Sequence, residues 1–156
     1  MAHRRLLEEF EKLGARVNEQ KSRIVDLWKK ESFGFVGFDF RMVRSSKGKW
    51  YVMKTPRLKA RTKLLQKLKD IFRRYTSQPI GTVIFLINPI LRGWVNYFRV
   101  GNSSKCFGYI RRWVELKVRR HLQRARQKSD FGWERWSREF IYKQLKVYND
   151  FRIQYC

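Results

Sequence analysis

The chain has 156 residues, of which 43% are hydrophobic and 16% aromatic, a composition that is typical of a folded domain and excludes a disordered segment. Lysine and arginine number 37 against 13 acidic residues, and the net charge of +24 predicts nucleic acid as the partner, with an anionic membrane surface as second candidate. Two cysteines and two histidines are too few for a disulfide framework or a Cys/His zinc site, and the longest apolar run, residues 83–87, is too short to span a membrane.

Residues 1–55 show the patterns of a small α+β unit. Leu6, Phe10 and Leu13 recur at helical spacing before Gly14, which predicts a short N-terminal helix. Segments rich in aromatic and β-branched residues then predict antiparallel strands, with a hairpin turn at "SSKGK". The strands are expected at residues 15–17, 22–27, 33–44 and 50–53.

From residue 56 onward the hydrophobic pattern has the period of helices. Thr55 is expected as the N-cap of the first helix, with Pro56 at its first helical position. We therefore predict an α+β fold, predominantly helical, in which a small antiparallel β unit (residues 1–55) precedes a basic bundle of three or four helices (residues 56–156). The helices are expected at residues 56–75, 81–100, 105–127 and 133–146.

The sequence offers no self-contained active site. Two-metal phosphoryl transfer needs clustered carboxylates, whereas Asp26, Asp39 and Asp70 stand on different elements and are expected to be surface or capping acids. A glycine-rich phosphate loop with its lysine and a Ser/His/Asp pattern are also missing. We therefore expect no enzyme activity from this chain alone and neither a metal nor a cofactor.

Cationic residues recur at helical spacing in the first and third predicted helices. Such faces suit backbone phosphates, which provide salt-dependent affinity with little sequence preference. The alternative is a solvated surface, although Glu115 is the only acid in the third helix. The expected phosphate-binding residues are Lys59, Lys63, Lys67 and Arg74 on the first helix, Lys105, Arg112, Arg119 and Arg126 on one stripe of the third, and Lys117, Arg120, Arg124 and Lys128 on a second stripe.

The segment "INPILRGWVNYFR", residues 87–99, combines an apolar helix face with residues that a core helix avoids. Pro89 is expected to kink the helix or to start it afresh, with the residue before it extended or acting as an N-cap. Gly93 permits close approach either of another helix or of an RNA strand, and both interpretations stay open. The polar residues expected near riboses or unpaired bases are Asn88, Arg92, Asn96 and Arg99.

This segment resembles the signature of the maturase-specific region, or domain X, which forms the thumb of group II intron reverse transcriptases. The C-terminal stretch "WSREFIYKQLKVYNDFR" is similar to the end of the thumb in the same family. The residues that carry the match in the signature are Asn88, Pro89, Leu91, Gly93, Trp94 and Tyr97.

Two upstream blocks resemble the end of the palm in that family. "LGARVNEQKSRIVDL" is similar to the block that follows the catalytic strand, through Asn18, Lys21 and Ser22. "FVGFDFR" resembles the primer-grip block, with Val36 in place of leucine. The residues of the primer-grip match are Phe35, Gly37 and Phe38.

The resemblance implies the end of a palm, residues 1–55, followed by a complete thumb, residues 56–156. The Tyr-x-Asp-Asp block of the family does not occur in the chain, so no polymerase reaction is expected from it alone. The resemblance implies a position near the incoming nucleotide for Lys21. That role depends on metal ions held by the family's aspartates, which do not occur in this chain.

The function expected from the resemblance is to bind and stabilise group II intron RNA for splicing, or to grip an RNA/DNA template–primer duplex. The protein would then work in a ribonucleoprotein in the prokaryotic cytoplasm or an organelle matrix, without a membrane partner. Two alternatives stay open: a subunit of a split reverse transcriptase that needs a separate finger–palm chain, and a non-specific RNA-binding remnant.

Overall fold

The computed structural model describes residues 2–14, 18, 24–127 and 132–154. Within these ranges it shows a three-stranded antiparallel sheet followed by three long helices, which confirms the predicted, predominantly helical α+β class. The elements in chain order are α1 (Ala2–Lys12), a 3-10 turn (Leu27–Lys29), β1 (Ser32–Phe35), β2 (Phe38–Arg44), β3 (Trp50–Pro56), α2 (Leu58–Arg74), α3 (Ile80–Phe98), α4 (Ser104–Ala125) and a π-helical turn (Phe140–Gln144).

The stretch 33–44, expected as one strand, belongs to two strands joined by a tight turn. Phe35 pairs with Phe38, so only Val36 and Gly37 form the turn, with φ angles of 46° and 80°. Two positive φ angles are typical of the type I′ turn, whose twist matches that of an antiparallel pair. Glycine adopts such angles freely, whereas valine rarely does, so the valine at position 36 hides the turn from the sequence pattern. The prediction of a single strand over residues 33–44 is therefore wrong.

The strand expected at residues 22–27 is wrong in its described part. Residues 24–26 have no regular structure, and Leu27–Lys29 forms the 3-10 turn. The Asp26 carboxylate accepts a hydrogen bond of 2.9 Å from the Trp28 backbone N–H, which caps this turn and competes with strand geometry. The expected partner strand, residues 15–17, lies outside the described residues.

The first long helix begins later than the sequence predicts. Thr55 pairs with Asp39 in the sheet, β3 continues to Pro56, and α2 begins at Leu58. Because its sheet pairing keeps Thr55 in the strand and the helix starts three residues later, the N-cap expected at Thr55 is wrong.

The main core lies between α2, α3 and α4, whose apolar faces meet as the helical period predicts. Full burial of a leucine, isoleucine or valine side chain contributes about 1.5–3 kcal/mol, so these faces supply much of the stability. The side chains of this core with almost no exposed surface are Leu68 of α2, Val83, Ile87 and Leu91 of α3, and Ile110, Val114 and Val118 of α4.

A second cluster anchors the sheet on the end of α3. The ring of Phe38 in β2 packs against that of Phe98, with centroids 4.9 Å apart. In the loop after α3, the Asn102 N–H donates to the Lys54 carbonyl at 2.7 Å, and the Asn102 Oδ1 accepts from the Lys54 N–H at 3.1 Å. These contacts fix β3 against the loop that leads into α4.

The helix expected at 133–146 is replaced by two separate turns. A turn over residues 133–136 precedes the π-helical turn Phe140–Gln144, and the chain then continues without regular structure to residue 154. Both Trp136 and Ile141 are buried. Residues five apart point in directions about 140° apart on an α-helix, so one straight helix would not bury both. Burial therefore overrides the helical pattern here.

Candidate nucleic-acid interface

Most of the cations predicted to bind phosphates lie on exposed helix faces. None of the exposed ones forms an ion pair with a described residue, so their charges remain available to a polyanion. Lys128 lies outside the described residues. The exposed cations are Lys59, Lys63, Lys67 and Arg74 on α2, and Lys105, Arg112, Arg120, Arg124 and Arg126 on α4 and at its end.

Arg119 is buried, which interrupts the predicted stripe of cations on α4. Only 2% of its surface is exposed, its Nε donates to the Trp136 carbonyl at 3.0 Å, and its guanidinium lies 4.2 Å from the ring centre of Trp133. The turn over residues 133–136 covers this point of α4. The prediction that Arg119 lies on an exposed stripe is therefore wrong, because helical spacing cannot show which distant segment covers a face.

A cavity of about 220 Å³ opens between α2 and α4. We call it the α2–α4 pocket. Five cations converge on it, and none of them forms an ion pair with a described acid. The pocket is lined by Lys69, Phe72 and Arg73 from α2, and by Lys117, Arg120, His121 and Arg124 from α4.

Lys117 is the least exposed cation of the α2–α4 pocket. Its Nζ lies 5.2 Å from the ring centre of Trp113, a favourable cation–π arrangement. Burial lowers its pKa below the ordinary lysine value, and the charges of Arg120 and Lys69 lower it further. The pocket therefore carries positive charge that the described part of the protein does not compensate.

Lys69 and Arg73 of this pocket were not among the predicted site residues. They are four residues apart on α2 and directly follow the buried Leu68 and Phe72, so they flank the core face. The sequence does contain a signal for these two residues. Each cation directly follows a core position of α2, and a cation at such a position lies close to the neighbouring helix, which is itself basic.

Two of the four polar residues predicted to face RNA on α3 are engaged in the fold. Asn88 lies inside the helix, where its Nδ2 donates to the Lys146 carbonyl at 2.9 Å and its Oδ1 accepts from the Tyr148 N–H at 2.8 Å. Arg99 donates to the Asp150 carboxylate at 3.0 Å. Both residues hold the C-terminal segment on α3, and the N-cap expected at Asn88 is wrong.

The other two polar residues, Arg92 and Asn96, are exposed on the outer face of α3. The helix continues across Pro89, so the restart proposed as one alternative does not occur. A Cβ atom built on Gly93 would have no atom of another described element within 4 Å. Close packing of another described helix against Gly93 is therefore wrong, and approach of an RNA strand stays a prediction.

The open surroundings of Gly93 lead to a stability prediction. Gly93→Ala is expected to raise the free energy of unfolding by about 0.5–1 kcal/mol, because alanine loses less backbone entropy than glycine in a helix. Gly101→Ala is the control, since a Cβ there would lie 2.9 Å from the Lys54 carbonyl oxygen and should destabilise the fold. Urea unfolding measures both; a loss of stability in Gly93→Ala would contradict the open surface.

Residues of the primer-grip match and of the domain X signature meet where the β1–β2 turn contacts α3. The Tyr97 hydroxyl donates to the Val36 carbonyl at 2.7 Å, and the Arg57 N–H donates to the Gly37 carbonyl at 2.9 Å. Phe35, by contrast, is exposed. The motif thus contributes to the junction of sheet and helices.

Two further aromatic contacts extend this junction. The Trp94 ring centroid lies 4.4 Å from that of Phe98, and Phe38 stacks on Tyr97 at 6.0 Å. Of the three matched residues of the upstream block, Lys21 and Ser22 lie outside the described residues.

The isolated acids serve local structure, as expected. Asp26 caps the 3-10 turn, Asp39 pairs with Arg57 at 3.1 Å, and Asp70 accepts a hydrogen bond from Gln66. Over the described ranges, no group of three His, Cys, Asp or Glu residues could hold a metal ion. In the same ranges no helix is both long and apolar enough to cross a membrane.

A family model described as the group II intron maturase-specific domain matches residues 61–140, just over half of the chain. The match runs from the first turns of α2 to the start of the π-helical turn, and so includes α3, α4 and the α2–α4 pocket. No curated protein was found to match the chain.

Proposed function

The chain belongs to the family of the group II intron maturase-specific domain, and we propose that it binds and stabilises group II intron RNA for splicing. The observation that carries this proposal is the set of exposed cations on α2 and α4, within or beside the matched segment, that lack acidic partners among the described residues. In this proposal the RNA performs the splicing chemistry and the protein neutralises phosphates, inside a ribonucleoprotein of the cytoplasm or an organelle matrix.

Binding to intron RNA is tested by comparing two RNAs of equal length. A folded group II intron RNA and a shuffled RNA are titrated with the protein at about 0.15 M salt, because non-specific affinity depends strongly on ionic strength. The proposal expects tighter binding of the folded intron. Equal affinities would contradict it and would favour the non-specific remnant.

The contribution of α4 is tested by its salt dependence. Lys105→Gln combined with Arg112→Gln is expected to reduce the slope of log affinity against log salt by about 1.4 on single strands or 1.8 on duplex, the value for two lost phosphate contacts. Filter binding across a salt series measures the slope.

A charge-matched control removes two exposed cations that already have acidic partners. Lys12 pairs with Glu9 at 2.7 Å and Lys143 pairs with Glu139 at 2.6 Å. Lys12→Gln combined with Lys143→Gln should leave the slope nearly unchanged. An equal reduction in both double variants would mean that total charge, and not the α4 face, determines binding.

A second candidate function is a subunit of a split reverse transcriptase, which the exposed aromatic surface of the sheet favours. Trp50 and Phe35 are at least half exposed at the two edges of the sheet, and the Trp28 ring packs edge-on against Trp50 at 5.9 Å. Exposed sheet edges are ready to pair with another chain. Mixing the protein with a separate finger–palm chain and assaying primer extension tests this candidate, and no extension above background would exclude it.

A further inference from the structure

The α2–α4 pocket differs from the exposed cationic faces because it is concave and surrounded by charge. Lys69 and Arg73 reach it from one helix, and Lys117, Arg120 and Arg124 from the other. None of the described lining residues is acidic. Cations on an open surface are spread by repulsion and solvated separately, whereas these five share one cavity.

The floor of the pocket is formed by two buried rings. Phe72 and His121 are both buried, with ring centroids 6.3 Å apart. The His121 Nε2 lies 2.9 Å from the Gln78 carbonyl, and it must be the donor of this hydrogen bond because a carbonyl oxygen only accepts. Both rings of the floor are therefore held in place beneath the cations.

The size of the cavity limits the ligand. Pockets for drug-sized organic molecules typically occupy about 300–1,000 Å³, so a cavity of about 220 Å³ lies below that range and encloses one or two phosphate groups. The planar guanidinium groups of Arg73, Arg120 and Arg124 can bind phosphate oxygens in pairs, and lysine adds a point charge.

We propose that the α2–α4 pocket binds a compact pair of phosphate groups of the RNA. The shared chemistry is that of a pyrophosphate-like polyanion. Two RNA features supply it: adjacent phosphates forced together at a sharp backbone bend, or the terminal phosphates of a 5′ end. This inference deepens the proposed function and rests on it, since the phosphates belong to the bound RNA.

Inorganic pyrophosphate is the first probe, titrated into the full chain and followed by NMR at the Phe72 and His121 amides and the Trp113 indole. Saturable binding with shifts at these groups is expected. Lys117→Gln combined with Arg120→Gln should weaken binding by at least about tenfold, the cost of losing one strong charge-assisted contact. If that variant does not fold, a second double variant, Lys69→Gln with Arg124→Gln, takes its place and should weaken pyrophosphate binding by a similar factor.

The charge-matched control is again Lys12→Gln with Lys143→Gln, which should change pyrophosphate affinity by less than about twofold, since these exposed lysines are already paired. NMR shifts that do not saturate would overturn the proposal that the pocket binds pyrophosphate. So would a control variant that weakens pyrophosphate binding as much as the pocket variants do.

Two RNA probes of one sequence, with a 5′-triphosphate or a 5′-hydroxyl, identify the source of the phosphates. A preference for the triphosphate RNA that the pocket variants abolish assigns the pocket to the 5′ end. Equal binding of both RNAs, with pyrophosphate competing against each, assigns it to a backbone bend. Pyrophosphate that occupies the pocket without displacing either RNA would overturn the inference.

The failure of this inference is distinct from that of the proposed function. If intron RNA binds in preference to shuffled RNA but pyrophosphate does not bind, the pocket inference fails and the proposed function stands. If pyrophosphate binds while intron and shuffled RNA bind equally, the proposed function fails, and with it the assignment of the pocket to intron RNA.

Discussion

Glu115→Ala is expected to lower the free energy of unfolding by about 3–5 kcal/mol, the range observed when one partner of a buried ion pair is removed. Glu115 is only 1% exposed and is held by three side chains. Its Oε1 accepts from the Tyr142 hydroxyl at 2.7 Å, its Oε2 accepts from the Arg138 Nε at 3.1 Å, and an Arg119 nitrogen lies 3.8 Å away. Removing the carboxylate leaves the buried Arg119 without its acidic partner.

The control for this variant is an ion pair with a shorter distance but without burial. Glu139 pairs with Lys143 at 2.6 Å, and both side chains are mostly exposed. Solvent screening limits such pairs to about 0.5 kcal/mol, so Glu139→Ala should have little effect. Urea unfolding followed by circular dichroism measures both variants. A loss below about 1 kcal/mol in Glu115→Ala would contradict a structural role for the network.

The same network predicts a pH dependence at Tyr142. Burial and the hydrogen bond to Glu115 raise the pKa of Tyr142 above its ordinary value. A group with a raised pKa in the folded state stabilises the fold below its unfolded pKa and loses that contribution as pH rises, so this contribution declines above about pH 10. Tyr142→Phe should remove this alkaline decline, which unfolding curves at several pH values would show.

The core faces of the long helices were predictable because periodicity alone determines them. The apolar face predicted for residues 87–99 includes Ile87, Leu91 and Phe98, and all three are buried. Helical spacing fixes where a side chain lies around its own axis, and apolar side chains at such spacing need only a neighbouring apolar face. The helical part of the fold follows from this local rule.

The roles of polar residues on the same helices were not predictable in this way. Asn88 bonds to residues 58 and 60 positions later, Arg99 bonds to a residue 51 positions later, and Arg119 bonds to one 17 positions later. Spacing cannot show which segment returns to cover a polar face. An arginine with a buried acid one turn away, such as Arg119 beside Glu115, has the same sequence pattern as an exposed cation.

Turn geometry limited the prediction of the sheet for another physical reason. Val36 has a positive φ angle that its β-branched side chain disfavours, so the residue type argued for a continuous strand. Tertiary contacts compensate: its carbonyl accepts from Tyr97, and Gly37 binds the backbone of Arg57. Both contacts come from beyond the hairpin and are not visible in its local sequence.

Asn88→Ala is expected to lower the free energy of unfolding by about 1–3 kcal/mol, because two hydrogen bonds are lost and the partly buried Tyr148 N–H is left without its partner. The side chain of Asn88 substitutes for a strand neighbour: it both donates to the Lys146 carbonyl and accepts from the Tyr148 N–H. Asn88→Asp should also destabilise, since a carboxylate accepts from Tyr148 but cannot donate to Lys146.

The control for Asn88 is Asn96→Ala on the outer face of the same helix, where the side chain is exposed and, among the described residues, accepts a hydrogen bond only from Arg99. The loss of stability in Asn96→Ala should stay within about 0.5 kcal/mol, since surface substitutions rarely cost more.

Hydrogen exchange at the Tyr148 amide distinguishes a structural role of Asn88 from an RNA-binding one, because only Asn88→Ala should accelerate the exchange. The slope of RNA affinity against salt should be unchanged in Asn88→Ala, since no charge is removed. Two results would contradict the structural role of Asn88 and favour the RNA-facing role that its spacing predicts: fast exchange of the Tyr148 amide in the wild type, or a reduced salt slope in Asn88→Ala.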